Sequence, residues 1–187
     1  MSETTPRLYF ADLAAYNSGR LRGVWVDFFK GIEPDDVQVA IDYMLHHSPF
    51  QDAEEWRIDD TESFAGFDGC DFETLCNVAA LIHEHGEEPV KGYLSHRGDD
   101  ADLDEFSNYY IGCFKSEADF CEEHLGGEGG LCTAAEGIQV FDWTTLDQYI
   151  DWEAIRETIP TGIANDAFIN SYWSHEVGHE EIYVYTR

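Results

Sequence analysis

Arg7-Leu8-Tyr9-Phe10-Ala11 and Gly23-Val24-Trp25-Val26-Asp27-Phe28 are the two runs that decide the fold of the N-terminal part. The first is short and apolar, and the second is rich in β-branched and aromatic residues, so both read as strands. Asn17-Ser18-Gly19 between them supplies turn chemistry. Downstream, Glu33-Pro34-Asp35-Asp36 puts proline at a first helical position and acids at the positive end of a helix. Val37, Ile41, Met44 and Leu45 then recur at i, i+4, i+7 and i+8, the spacing of an amphipathic helix, which Ser48-Pro49 ends. Residues 54–61, with Trp56 and Ile58 alternating against polar neighbours, complete a β-β-α-β section.

Working outward, residues 71–85 place Phe72, Leu75, Val78, Ala79 and Ile82 on one helical stripe, with Gly86 as its stop. Pro89 begins a break, and a further helix is expected over 99–110 with Leu103, Phe106 and Tyr110 inward. Ser116-Glu117-Ala118-Asp119 resembles a capping box with Asp in place of Glu. Its helix should end at Gly126-Gly127, where 126–130 reads as a flexible loop. Residues 144–158 read as helical, with Leu146, Ile150 or Tyr149, and Trp152 to Ile155 inward and a break near Asp151. Residues 168–173 and 182–185 look like two strands joined through Gly178. The expected class is α+β, with no internal repeat. Three small domains follow from this order: 1–66, a ββαβ unit; 67–112, helical; and 113–187, α+β.

The chain has 187 residues, 39 of them Asp or Glu against 10 Lys or Arg, for a formal net charge of −29. Hydrophobic residues make up 43%, including 12 Phe, 10 Tyr and 5 Trp, which is enough for real cores and excludes simple acidic disorder. The charge argues against nucleic acid or anionic lipid as a ligand, since both would be repelled. It leaves cations, a basic protein surface, or solvent alone. No window of 18 apolar residues exists to span a membrane, and Met1 to Arg7 lacks an apolar signal core. Cys70, Cys76, Cys113, Cys121 and Cys132 are odd in number with no Cys-x-x-Cys, so they read as buried free thiols in a reducing cytoplasm. Residues 1–29 balance 3 acids with 3 bases, whereas 30–95 and 96–158 each carry 16 acids and 3 bases. The acids interleave with apolar residues, the pattern of folded elements with a charged outer face.

His175-Glu176-Val177-Gly178-His179 matches H-E-x-x-H, in which two His on one helix face bind zinc and the Glu acts as base. Here glycine disfavours the helix interior, and Ile182-Tyr183-Val184-Tyr185 after it is strand-like. A polar hairpin turn is the stronger reading, with a zinc hydrolase the alternative. Asp100-Ala101-Asp102-Leu103-Asp104 begins like a calcium loop, but Glu105 and Ile111 stand where that loop needs Gly and Glu. His46-His47 and His83-Glu84-His85 lie near expected helix C-termini, where the dipole favours them without any ligand. The chain has neither a Gly-rich phosphate loop nor a G-x-S-x-G elbow.

The acid excess has a bland reading, solubility or adaptation to high salt, which the balanced first 29 residues weaken. Its functional reading is imitation of a polyanion. At one charge per ~1.7 Å of duplex axis, 29 charges correspond to about 49 Å, roughly 15 base pairs. A compact sphere of this length has a radius of gyration of about 16 Å, so DNA-like spacing calls for an elongated chain with its small domains in a row.

Arg7 to Gly19 followed by Gly23-Val24-Trp25 resembles the opening of the antirestriction protein ArdA family: a strand, then L-x-x-Y-N-x-G, then G-x-W. Ala53-Glu54-Glu55-Trp56-Arg57-Ile58-Asp59-Asp60, Phe64 with Gly66, and Ile82-His83-Glu84-His85-Gly86 are similar to its next landmarks. Phe141-Asp142 and Tyr183-Val184-Tyr185 match less specifically, and Gly-rich 125–136 departs from the pattern. The resemblance implies a protein of mobile genetic elements, including conjugative plasmids. Its elongated three-domain chain pairs into a curved homodimer through the third domain. Surface carboxylates would stand in for DNA phosphates in the DNA-binding channel of type I restriction-modification enzymes, at the methyltransferase and specificity subunit core. It implies no cofactor, no metal and no catalysis. The exposed charge rows are expected on helices and loops: Asp35, Asp36, Asp42, Asp59, Asp60, Asp71, Glu73, Glu84, Glu87, Glu88, Asp99, Asp100, Asp102, Asp104, Glu105, Glu117, Asp119, Glu122 and Glu123.

Overall fold

The computed structural model describes residues 5–51, 53–67, 69–98, 101–116, 119–120, 122–123, 139–141, 144–145, 150–151, 154, 172–178 and 181–186. The chain divides into two compact units, 1–103 and 104–187. In the first, strands β1 (Arg7–Asp12), β2 (Gly23–Asp27) and β3 (Trp56–Glu62) form an antiparallel sheet in the order β2-β1-β3. β1 pairs Phe10 with Val24 and with Ile58, and a bulge shifts the β3 register after Tyr9. Gly23 is required at this pairing. A Cβ there would run into the Phe10 carbonyl oxygen and the Tyr9 ring.

Between β1 and β2 the chain makes a short helix, α1 (Leu13–Asn17), before the expected turn. The sequence reading held only the turn. The difference comes from Asp12, whose side chain accepts from Ala15 N and caps the added turn of helix. α2 (Pro34–His46) starts at its proline and buries Val37, Ile41 and Met44. α3 (Phe72–His85) is capped by Asp71, which accepts from Thr74 N and Oγ1 at 2.8 and 2.7 Å, and it buries Leu75, Val78, Ala79 and Ile82.

Two expectations fail next. No break opens at Pro89: the chain turns at Gly86 and re-enters a helix, α4 (Glu87–Arg97). Pro89 is its third residue, where an N–H has no intrahelical partner to lose, so proline is tolerated. The helix expected over 99–110 shrinks to α5 (Phe106–Tyr109), and Tyr110 opens a strand instead. Ala101 N bonds to Gly98 O, and the Asp102 carbonyl accepts from the Tyr93 hydroxyl at 2.6 Å, so Ala101 and Asp102 are tied back to the end of α4 and lie outside any helix.

The core of the first unit lies between one sheet face and the helices. Leu8, Phe10, Val37, Ile41, Leu75, Val78 and Val90 are fully buried. Phe28 meets Phe64 edge-on at 4.9 Å, and Trp56 stacks on Phe72 at 5.4 Å. Buried Asp12 joins the pieces: besides capping α1, it accepts from Ser48 Oγ at 2.6 Å and lies 3.7 Å from the Arg22 guanidinium. Arg22 Nη2 in turn donates to the Met44 and His47 carbonyls, closing the C-terminus of α2.

In the second unit β4 (Tyr110–Phe114), β8 (Glu181–Thr186) and β7 (Tyr172–Val177) form an antiparallel sheet in the order β4-β8-β7. Tyr185 and Val184 are buried; Tyr110 packs on Phe106 at 5.4 Å and on Tyr185 at 5.5 Å. Ser116 Oγ accepts from Asp119 N, as the expected cap requires. β5 (Gln139–Phe141) pairs with β6 (Thr144–Thr145), so the helix expected from residue 144 does not begin there. Asp151 Oδ1 accepts from the N–H of helical Ala154, which places a helix cap near the expected break. The loop expected at 126–130 lies outside the described residues.

Candidate functional site

The expected carboxylates fall into three settings. Those on α2 and α3 point to solvent: Asp35, Asp36, Asp42, Asp71, Glu73 and Glu84 are exposed. Their placement follows from the helical stripe, since burying Val37, Ile41 and Met44 turns the opposite positions outward. Their hydrogen bonds stay local: Gln38 donates to Asp42 at 2.7 Å, and the Glu33 N–H donates to Asp36 at 3.0 Å. At Asp71, the Thr74 hydroxyl and then its backbone N–H hold the carboxyl below the usual range, so it stays ionised at neutral pH.

The thiol of Cys76 shows how these helix starts meet. Burial pushes it up, and the negative charges of Asp36, Asp71 and Glu33 add to the rise. Acids at the starts of both α2 and α3 thus contribute to the negative field at this thiol. Glu33, an acid of the expected helix start that the expected charge rows leave out, is exposed just before Pro34.

The acids of β3 stand differently. Asp59 pairs with Arg57, and Glu62 pairs with Arg7 at 2.6 Å. The hydrogen bond to Asp59, with that to Tyr16 second, raises the Arg57 pKa. Arg57 also lies over the Tyr16 ring at 4.2 Å, and Arg7 over Trp25 at 4.8 Å. Asp59 and Asp60 belong to exposed residues, as do Asp27, Glu54, Glu55 and Glu62, which the sequence reading did not single out.

The remaining expected acids are mixed. Glu87 and Glu88 are half-buried, with Glu87 accepting from Ala65 N and Glu88 3.6 Å from Lys91. Asp102, Asp104 and Glu105 are exposed. Asp119, Glu122 and Glu123 line one hollow of about 370 Å³ with Cys113, Phe114 and Lys115. Asp99, Asp100 and Glu117 lie outside the described residues.

The H-E-x-x-H string does not start on the helix that the zinc-hydrolase alternative calls for. His175 and Glu176 sit on β7, opposite Tyr183 and Ile182 of β8, and successive strand residues face opposite ways. The hairpin turns at Gly178, whose φ of 69° is a conformation that glycine adopts without strain. His179 is outside the described residues. Among the described residues, no group of three or more His, Cys, Asp or Glu is placed to hold a metal ion. The thiols also correct the expectation of burial: Cys76 is buried, but Cys70 and Cys113 are exposed. Partial desolvation of the Cys113 sulfur, with the Glu181 charge second, raises its pKa, so it stays a thiol at neutral pH.

No helix among the described residues is long and apolar enough to cross a membrane. None of the curated proteins compared with the chain matches it. A family model described as "Antirestriction protein (ArdA)" does match, over residues 8–180, and across nearly its whole length this chain belongs to that family.

Proposed function

We propose that this antirestriction protein is a DNA mimic that occupies the DNA-binding channel of type I restriction-modification enzymes. The observation that carries the reading is the set of outward acids on α2 and α3, where Asp35, Asp36, Asp42, Glu73 and Glu84 are exposed. Carboxylates on rigid helices keep fixed spacings, as phosphates do on a duplex. A basic channel lined to hold phosphates would attract them from a distance and orient the encounter. Each contact is solvated, so single substitutions act mildly and blocks act strongly.

The same reading includes an elongated three-domain chain, 1–66, 67–112 and 113–187, paired as a homodimer through its third domain. The partner surface is the methyltransferase and specificity subunit core, reached in the cytoplasm. The benefit falls to incoming mobile DNA, such as a conjugating plasmid, which escapes cleavage. The protein acts by occupancy, without a cofactor or a catalytic residue. The test is plating efficiency of unmodified phage on cells carrying a type I system. Expression of the protein should restore plating toward that of a restriction-free strain. Unchanged plating would leave only an acidic protein without this role.

A further inference from the structure

Beside its outward acids, α2 also presents two large apolar side chains to solvent: Val39 and Tyr43 are each 66% exposed. They stand at i and i+4, so they are neighbours on one stripe, across the helix from buried Val37, Ile41 and Met44. Asp35, Asp36 and Asp42 lie three or four positions from Val39 and are exposed beside it. The Tyr43 ring rests on His47, with ring centroids 4.1 Å apart.

The buried stripe of the helix does not call for these two residues. Valine is among the weaker helix formers, and its exposure forgoes the burial that justifies it elsewhere. The helix is already anchored by its inner stripe, by the proline start and by Arg22 at its end. An apolar pair flanked by carboxylates on one side and by His47 on the other has the make-up of an interface centre with a polar rim. The flanking acids also fix the kind of partner, since a surface meeting Asp35, Asp36 and Asp42 together must be basic.

We propose that Val39 and Tyr43 form an apolar anchor that seats in a depression of the basic DNA-binding channel, giving the mimic binding energy that duplex DNA does not supply. The proposal rests on the DNA-mimic reading above. Its physical consequence is separable. Carboxylate contacts weaken as salt rises, whereas burial of an apolar pair is nearly indifferent to salt over the same range.

The experiment measures inhibition of a purified type I restriction enzyme by the full chain at two salt concentrations. The variants are Val39→Ser/Tyr43→Ser, Tyr43→Phe, and Leu21→Ser, an equally solvent-facing apolar site away from the stripe. Thermal melting verifies that each is folded, and sedimentation gives its oligomeric state. The double variant should inhibit roughly tenfold less well at both salts, with the salt dependence unchanged. Tyr43→Phe and Leu21→Ser should inhibit as the unsubstituted protein does. Equal inhibition by the double variant would overturn the anchor while leaving the mimic reading intact. So would a loss matched by Leu21→Ser. A change of oligomeric state in the double variant would assign the pair to contact between copies instead. Failure of the unsubstituted protein to inhibit would overturn the mimic reading and the anchor with it.

Discussion

The acids of α2 and α3 and the acids of the N-terminal sheet occupy the same unit but do different work. On the helices the carboxylates stand outward and bond within their own turns, Gln38 to Asp42 and Thr74 to Asp71. At the sheet they meet arginine: Asp59 with Arg57, Glu62 with Arg7, and buried Asp12 near Arg22. Arg7, Arg22 and Arg57 are thus engaged with carboxylates at the sheet. An even sprinkling of charge would give a soluble protein; concentrating uncompensated charge on rigid helices gives a surface with a direction.

Neutralising the two sets separately should break that symmetry. Changing Asp35, Asp36, Asp42, Glu73 and Glu84 to their amides together should weaken inhibition roughly tenfold or more and flatten its salt dependence. Extending the block to eight or more exposed acids should abolish it. Undiminished inhibition after that change contradicts charge imitation.

The opposite behaviour is expected of Asp12. Asp12→Ala removes a buried carboxylate with a cap, a serine hydroxyl and an arginine around it, and should cost about 3 kcal/mol of stability in a denaturant titration. Material that remains folded should inhibit with its salt dependence intact. Arg22→Ala should cost about 2 kcal/mol through the lost α2 carbonyl bonds. A helix acid as costly to stability as Asp12 would blur the division.

Smaller effects sharpen it. Changing Asp59, Asp60 and Glu62 to amides should weaken inhibition less than the helix block, because Arg57 and Arg7 already offset two of the three charges. The Asp71 carboxyl sits below its ordinary pKa in the fold, so its contribution is present above the usual carboxylate range and is lost as pH falls through the lowered value. The destabilising part of acidification should therefore be smaller in Asp71→Ala than in the unsubstituted protein, read as melting temperature against pH. Self-repulsion of the whole surface should make the melting temperature rise from low to moderate salt.

How much of this was legible in the sequence varied with the length of the pattern. The strands at 7–12 and 23–27 and the helices at 34–46 and 72–85 announced themselves through period and caps. Pro89 misled because proline breaks a helix interior yet suits a first turn, and only the Gly86 junction decides which applies. Residues 99–110 carry helical spacing, but the Asp102 carbonyl is tied to the Tyr93 hydroxyl and sheet pairing with β8 takes Tyr110. That contact spans 75 positions, so no local pattern could reveal it. Exposure of the helix acids followed from the apolar stripe. The arginine partners of Asp59 and Glu62 did not, since the Arg7–Glu62 pair joins strands 55 residues apart.

The most direct test is competition for a purified type I restriction enzyme between this protein and a duplex carrying its recognition site, titrated over a range of salt. The account predicts mutually exclusive binding, with the affinity for the protein falling linearly in log–log form as salt rises. A ternary complex holding enzyme, duplex and protein together would contradict it.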